Sequence, residues 1–207
     1  MDNVTTLIEG KLYLVDDFLA PSEVEHYRAY LDQREKDYTG VHPMPHRWQE
    51  SIDDPQLSIT FWQKLKPYFT QISPLTKYQR KHSPYLKEPY KCAKYMPAVR
   101  YNIDGLQTII HQDFRRDPQE EFAVIIYLNQ DFPDGQTRYY DHYRQLLHTI
   151  KPKTGQAIIF DIEMFHRGEA PNGIKYILCP RVCYRNLSNK TKKPKINKPK
   201  TKKLKRK

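Results

Sequence analysis

The chain has 207 residues, enough for one domain with a sizeable core, and its 38% apolar and 29% charged residues suit a soluble globular fold. No apolar run approaches the ~20 residues that span a bilayer. The N-terminus MDNVTTLIEGKLYLVDDFLA, with acids at Asp2 and Glu9, lacks the basic and apolar regions of a secretory signal, so an intracellular location, cytoplasmic or nuclear, is expected.

In chain order, GKLYLVDDFLAPSEVEHYRAYLDQ (10–33) predicts a short strand, a turn and a helix that starts at Pro21. Val24, Tyr27 and Leu31 recur at helical spacing and form its apolar face. A second helix is predicted over 55–70, with Leu57, Phe61, Leu65 and Phe69 on one face. Residues 76–100 carry seven Lys or Arg against one Glu, interleaved with Tyr78, Tyr85, Tyr90 and Tyr95. They read as a solvated connection whose tyrosines pack on a sheet, the alternative being a surface that grips polyanions or extended peptides. From 98 onward short strands follow one another: AVRYNI, QTIIHQD, EFAVIIYLN, TRYYD, HTIKP, GQAIIFD and KYILCPRVCYR. Turn signals such as FPDG, KPKTG and APNG separate them, which predicts a barrel or a double-sheet jelly roll, mainly β with N-terminal helices.

The organisation expected is therefore a helical and strand support over 1–97, a core over 98–186 that forms one globular unit with it, and a tail over 187–207. The net charge of +11 belongs to that tail: residues 186–207 hold eleven of the 35 Lys and Arg and no acid, leaving 24 bases against 24 acids in 1–185. So lysine-rich a segment cannot bury enough apolar surface to offset its ordering entropy, and a disordered cationic arm is expected. It could bind nucleic acid or an acidic partner, or serve only as a solubilising tail. The three cysteines are too few for a disulfide framework. Cys179 and Cys183 have no second pair and read as core thiols.

The segment HQD carries the first chemistry. Residues two apart on a strand share a face, so His111 and Asp113 project together and Gln112 points away. An imidazole and a carboxylate suit Fe(II), but a catalytic iron needs a third ligand, and HxD alone also arises as a surface pair. Downstream, GQAIIFDIEMFHRGEAPNGIKYIL (155–178) places His166 after an apolar strand and Lys175 on the returning one. A hairpin of that length can bring the Lys175 ammonium over the pocket, to pair with the distal carboxylate of a dicarboxylic co-substrate.

The pieces VRYNIDG, HQD, VIIYLNQDFPDGQT, IKPKTGQAIIF and FHRGEAPNGIKYIL, in this order, resemble the 2-oxoglutarate- and Fe(II)-dependent dioxygenases, in particular their prolyl 4-hydroxylase branch. The resemblance covers roughly 11–186. It implies a double-stranded β-helix with His111, Asp113 and His166 as iron ligands and Lys175 on the C5 carboxylate of 2-oxoglutarate. Tyr127 and Tyr101 align with tyrosines that help hold the co-substrate, and Thr137 with a hydroxyl near it. It further implies Fe(II), 2-oxoglutarate and O2, with ascorbate a candidate addition, and oxidative decarboxylation to succinate coupled to hydroxylation. The substrate implied is a protein or peptide, with peptidyl proline the residue modified. Two departures stand out: DGQT replaces the common GGeT, and RYYDHYRQLLH forms a Tyr-rich insert before TIKP. His142 and His148 in that insert are read as surface residues. Alternatives are a hydroxylase of another residue, an oxidative nucleic-acid demethylase favoured by the basic tail, and a non-catalytic jelly-roll binding module. Demethylating relatives carry a paired-arginine pattern after the distal histidine. Arg181 and Arg185 follow His166 here, but GIKYIL fits the prolyl hydroxylase form better.

Overall fold

The computed structural model describes residues 3–37, 47–51, 55–72, 82–85, 97–101, 109–113, 120–169 and 171–186. The chain begins with a hairpin, β1 (Val4–Ile8) and β2 (Leu12–Val15), then enters helix α1 (Pro21–Asp37) at the expected proline. The Glu23 carboxylate accepts from the Ala20 N–H at 2.9 Å, half of a capping box, and Val24, Tyr27 and Leu31 are the buried face. After β3 (Arg47–Ser51) comes α2 (Pro55–Ile72), which buries Phe61, Leu65 and Phe69. Lys64 of α2 pairs with the same Glu23 at 2.8 Å, so one carboxylate both caps α1 and ties it to α2. Glu23→Ala should therefore lower stability by about 1 kcal/mol, and Glu23→Gln by less, read from urea midpoints. Neither described helix is long and apolar enough to cross a membrane.

The remaining strands are β4 (His82–Tyr85), β5 (Pro97–Tyr101), β6 (Glu120–Tyr127), β7 (Thr137–Tyr140), β8 (Leu146–Ile150), β9 (Ala157–Asp161), β10 (Phe165–Gly168), β11 (Lys175–Leu178) and β12 (Arg181–Asn186). Among the described residues nine strands form one antiparallel sheet, ordered β1-β2-β9-β6-β11-β5-β3, and β10-β7-β8 form a second. β12 continues β11 along the same edge of β6 and carries β4 on its other side. The break between β11 and β12 falls at Cys179–Pro180. Proline has no N–H for the ladder, but its carbonyl still accepts from Val124 N–H at 3.0 Å.

The large sheet is buried on both faces, which explains why its central strands are almost continuously apolar. Phe122, Val124, Ile126, Ala157, Ile159, Tyr176 and Leu178 face the helices. The alternating set, Ala123, Ile125, Tyr127, Ile158, Phe160 and Ile177, faces Tyr139 and Ile150 of the small sheet. Two facing sheets, one of them backed by helices, make the jelly roll that the strand pattern predicts.

Several details differ from the sequence reading. The supposed insert is the β7–β8 hairpin, whose turn is closed by Asp141 Oδ1 accepting from the N–H groups of Tyr143 and Gln145, each at 2.8 Å. It belongs to the small sheet, with Tyr139 buried and Tyr143 exposed. The 76–100 segment contributes two strands, β4 and the start of β5, and its remainder lies outside the described residues. Of QTIIHQD only 109–113 are described, and there the pairing is a single bridge rather than a ladder. The 187–207 tail also lies outside the described residues.

Candidate active site

The single bridge assembles the site. His111 and His166 exchange both backbone hydrogen bonds, at 3.0 and 2.8 Å, so residues far apart in the chain stand directly opposite each other. Their rings lie 4.4 Å apart between centroids. Each ring is held from behind: His111 Nδ1 lies 2.8 Å from the Ile109 carbonyl and His166 Nδ1 lies 3.0 Å from the Met164 carbonyl. A carbonyl only accepts, so Nδ1 carries a proton and Nε2 is the nitrogen of each ring left to bind a metal. Burial, the largest influence, pulls His166 below its usual pKa and favours the neutral imidazole that a metal requires.

Asp113 completes the group from two residues beyond His111. Its Oδ1 lies 3.9 Å from the Nε2 of each histidine, and the three ligand atoms fall within 4.8 Å of one another. Gaps of 3.9 Å are too long for hydrogen bonds, so nothing joins the imidazoles to the carboxylate directly. Two imidazoles and a carboxylate facing a common point fit a divalent cation, and this donor set suits Fe(II). The other carboxylate oxygen, Oδ2, is engaged by Arg181 Nη2 at 3.0 Å. Gln112 turns away and donates its amide to the Glu163 carbonyl.

Lys175 lies on the inner face of the large sheet, 2% exposed, with its ammonium donating to the Gly135 carbonyl at 2.6 Å. Burial pushes its pKa down to about 8. Gly135 has φ 87°, and a Cβ there would stand 2.8 Å from the Phe132 ring, so the turn of DGQT needs a glycine to aim that carbonyl. The Lys175 ammonium also lies 5.3 Å from the centre of the Tyr127 ring, and the Tyr127 hydroxyl is hydrogen-bonded to Thr137. Three of the four residues expected around the co-substrate thus meet. Tyr101 pairs with Lys175 in the β5–β11 register, and its side chain lies outside the described residues.

Three neighbours of the site were not foreseen. Asn129 is buried, accepts from Tyr176 N–H and donates to the Ile174 carbonyl, which clamps the backbone on both sides of Lys175. A buried asparagine ending the run VIIYLN was the available signal. Tyr139 had none, because its place depends on which strand lies opposite it, and Arg181 was noted only as one of two arginines that follow His166, with no contact to Asp113 foreseen. His142 is exposed and His148 half-buried, and neither belongs to the described metal-ligand group. Cys179 is half-buried and packs against the inner cluster, as expected, whereas the side chain of Cys183 is outside the described residues. A cleft of about 270 Å³ lined by Gln112, Tyr140 and Phe165 lies on the far side of the β7–β10 pair, since Tyr140 and Phe165 alternate with Tyr139 and His166.

A family model described as the 2OG-Fe(II) oxygenase superfamily matches residues 96–183, the stretch that contains every residue of this site. Among curated proteins none matches the chain. Solved structures with the same architecture include a Pseudomonas putida prolyl-4-hydroxylase, 17% identical, with a TM-score of 0.62 over 84% of this chain and 93% of that one. A Trichoplax adhaerens prolyl hydroxylase, solved with a hypoxia inducible factor oxygen degradation domain peptide fragment, is 16% identical with a TM-score of 0.58, over 86% of this chain and 84% of that one. The viral collagen prolyl hydroxylase of Paramecium Bursaria Chlorella virus-1, solved as a 2OG complex, is 15% identical with a TM-score of 0.57, over 84% of this chain and 95% of that one. At these identities the likeness is one of fold.

Proposed function

We propose that this chain, a 2OG-Fe(II) oxygenase of prolyl 4-hydroxylase-like architecture, hydroxylates a protein residue, most readily a peptidyl proline, while converting 2-oxoglutarate to succinate. The observation that carries the reading is the joint presence of His111, Asp113 and His166 at one point and a buried ammonium, Lys175, on the same inner face. Bound iron supplies the activation of dioxygen coupled to decarboxylation of the 2-oxo acid. The protein's own residues do the rest. His111, Asp113 and His166 would hold the metal. Lys175 takes the distal carboxylate of the co-substrate, in place of part of its contact with Gly135. The packed faces of Tyr127, Ile177 and Phe160 keep water from the pocket. A non-catalytic jelly roll would have no use for an ammonium buried at this cost. The peptide substrate is supported by the Trichoplax structure, whose bound fragment shows this architecture receiving a peptide.

The test is incubation of the purified chain with Fe(II), 2-oxoglutarate, ascorbate and proline-containing peptides, read by mass spectrometry for a gain of one oxygen atom. Oxygen found only on residues other than proline would keep the oxygenase and remove the prolyl assignment. The tail is proposed to serve a separate role, binding nucleic acid or an acidic protein. Deleting 187–207 should leave succinate formation on a short peptide unchanged and abolish any salt-sensitive binding, because that affinity scales with the cations engaged. Tight, salt-dependent nucleic-acid binding by the truncated chain would place the contact on the folded body instead.

A further inference from the structure

The turn that leads into His166 holds both histidine-bearing segments of the metal group. β9 ends at Asp161, whose N–H is anchored to the Lys11 carbonyl at 2.8 Å. Its Oδ1 accepts from Glu163 N–H at 2.8 Å and its carbonyl from Met164 N–H at 2.9 Å, so residues 161–164 form one closed turn. Two carbonyls leave that turn in succession, and each is taken by a different segment. The Met164 carbonyl accepts from Nδ1 of His166, and the Glu163 carbonyl accepts from the Gln112 amide.

Gln112 stands between two ligands, His111 and Asp113, on a segment whose described pairing is short. Residues 109–113 meet β10 through the single bridge of His111 with His166. One bridge fixes the place of His111, but the direction in which the chain runs on to Asp113 needs a second point of attachment. The Gln112 amide supplies it by gripping a carbonyl 51 positions along the chain. Arg181 holds the carboxylate of Asp113, whereas Gln112 holds the backbone that carries it. The attachment lies on the outer wall, where Gln112, Asp161, Glu163 and Met164 all line the cleft behind the site. Residues two apart on a strand share a face and their neighbour takes the other, so the amide is kept off the metal side.

We propose that Gln112 is a positioning residue of the metal group. Through the turn that Asp161 closes, it fixes the HQD segment against the carbonyls that orient His166, so that the three ligands keep their spacing before a cation arrives. The inference rests on the metal-binding half of the function proposed above. The task needs an N–H donor on a side chain of this length. Glutamate has the length without the donor, asparagine the donor without the length, and methionine the length and no charge. Ligands held in place ahead of binding lose less freedom when the metal enters, which is how a contact outside the ligand set raises affinity.

Equilibrium titration of the full chain with Mn(II) in place of iron, without 2-oxoglutarate, reads that spacing with no turnover. Gln112→Met should bind Mn(II) about tenfold more weakly, the low end of what outer partners of a metal site contribute. The Tm of the metal-free chain should move by no more than about 3 °C, because the bond it loses is exposed. At saturating Mn(II) its affinity for 2-oxoglutarate should equal that of wild type, since the amide lies on the wall opposite Lys175. Asp161→Ala, which opens the turn, should weaken Mn(II) alike. Asp161→Asn loses the same charge but keeps an oxygen for Glu163 N–H, and should restore the affinity. The double variant of Gln112→Met with Asp161→Ala should be no weaker than the weaker single one, because both act through one turn. Unchanged Mn(II) affinity in Gln112→Met would overturn the assignment, and so would fully additive losses in the double variant. A wild type that does not bind Mn(II) would instead overturn the proposed function, and this inference with it.

Discussion

Asp113→Asn is expected to abolish conversion of 2-oxoglutarate to succinate while leaving the fold intact. The substitution keeps the shape of the side chain and an oxygen that can still accept from Arg181, now 3.0 Å from Oδ2. What it removes is the anionic donor that faces the two imidazoles. Asp113→Ala is a poorer test, because it would leave the Arg181 guanidinium, 16% exposed, without its partner. Losing one member of a largely buried pair costs about 3–5 kcal/mol, so inactivity could then reflect unfolding. His166→Ala should be equally inactive but opens a hole between Tyr139 and Phe160, which pack on that ring. The expected loss in each case exceeds the roughly 10–100-fold that removal of an outer partner of a metal site costs. Succinate measured by NMR, with Mn(II) affinity in parallel, checks the assignment. Wild-type turnover in purified Asp113→Asn would take this residue out of the site.

How much of this arrangement could be read beforehand follows from how local each feature is. His111 and Asp113 share a face because a strand repeats every two residues, and that is legible in three letters. Helix α1 was legible from Pro21 to its buried stripe, since caps and spacing are local. The run VIIYLN announces a strand buried on both faces, but its pattern does not say which face meets the helices and which the small sheet. Tyr127 could therefore be placed on the co-substrate side only by resemblance. β3 (RWQES) and β4 (HSPY) carry charges and a proline instead of apolar alternation. They are strands because β5 and β12 offer them a ladder, a tertiary fact that overrides propensity. The partnership of Arg181 with Asp113 and the stacking of Tyr139 on His166 are further from the sequence still. Each depends on the register of strands that meet only after the sheets have closed.

Lys175→Met is expected to weaken 2-oxoglutarate binding ten- to a hundredfold, the equivalent of ~1.5–3 kcal/mol for a charge-assisted contact to a carboxylate. Its pKa, pushed down to about 8 by burial, adds a pH signature. An unfolded lysine titrates near 10.4. Between about 8 and that value the unfolded chain holds a proton that the folded chain has released, so this group makes the folded state gain stability as pH rises through the window. Binding runs the other way. A distal carboxylate needs the ammonium, so above pH 8 each bound co-substrate must bring a proton with it, and affinity should fall about tenfold per pH unit. Lys175→Arg keeps a charge at every pH and should bind with part of the wild-type strength but without that slope. Lys175→Met should be weak throughout and equally flat. Titrations with Mn(II) from pH 7 to about 9.5 separate the three, because the shared pH response of the metal cancels when the variants are compared. A slope in Lys175→Met as steep as in wild type would mean that another group carries the proton, and unchanged affinity would hand the distal carboxylate to another cation.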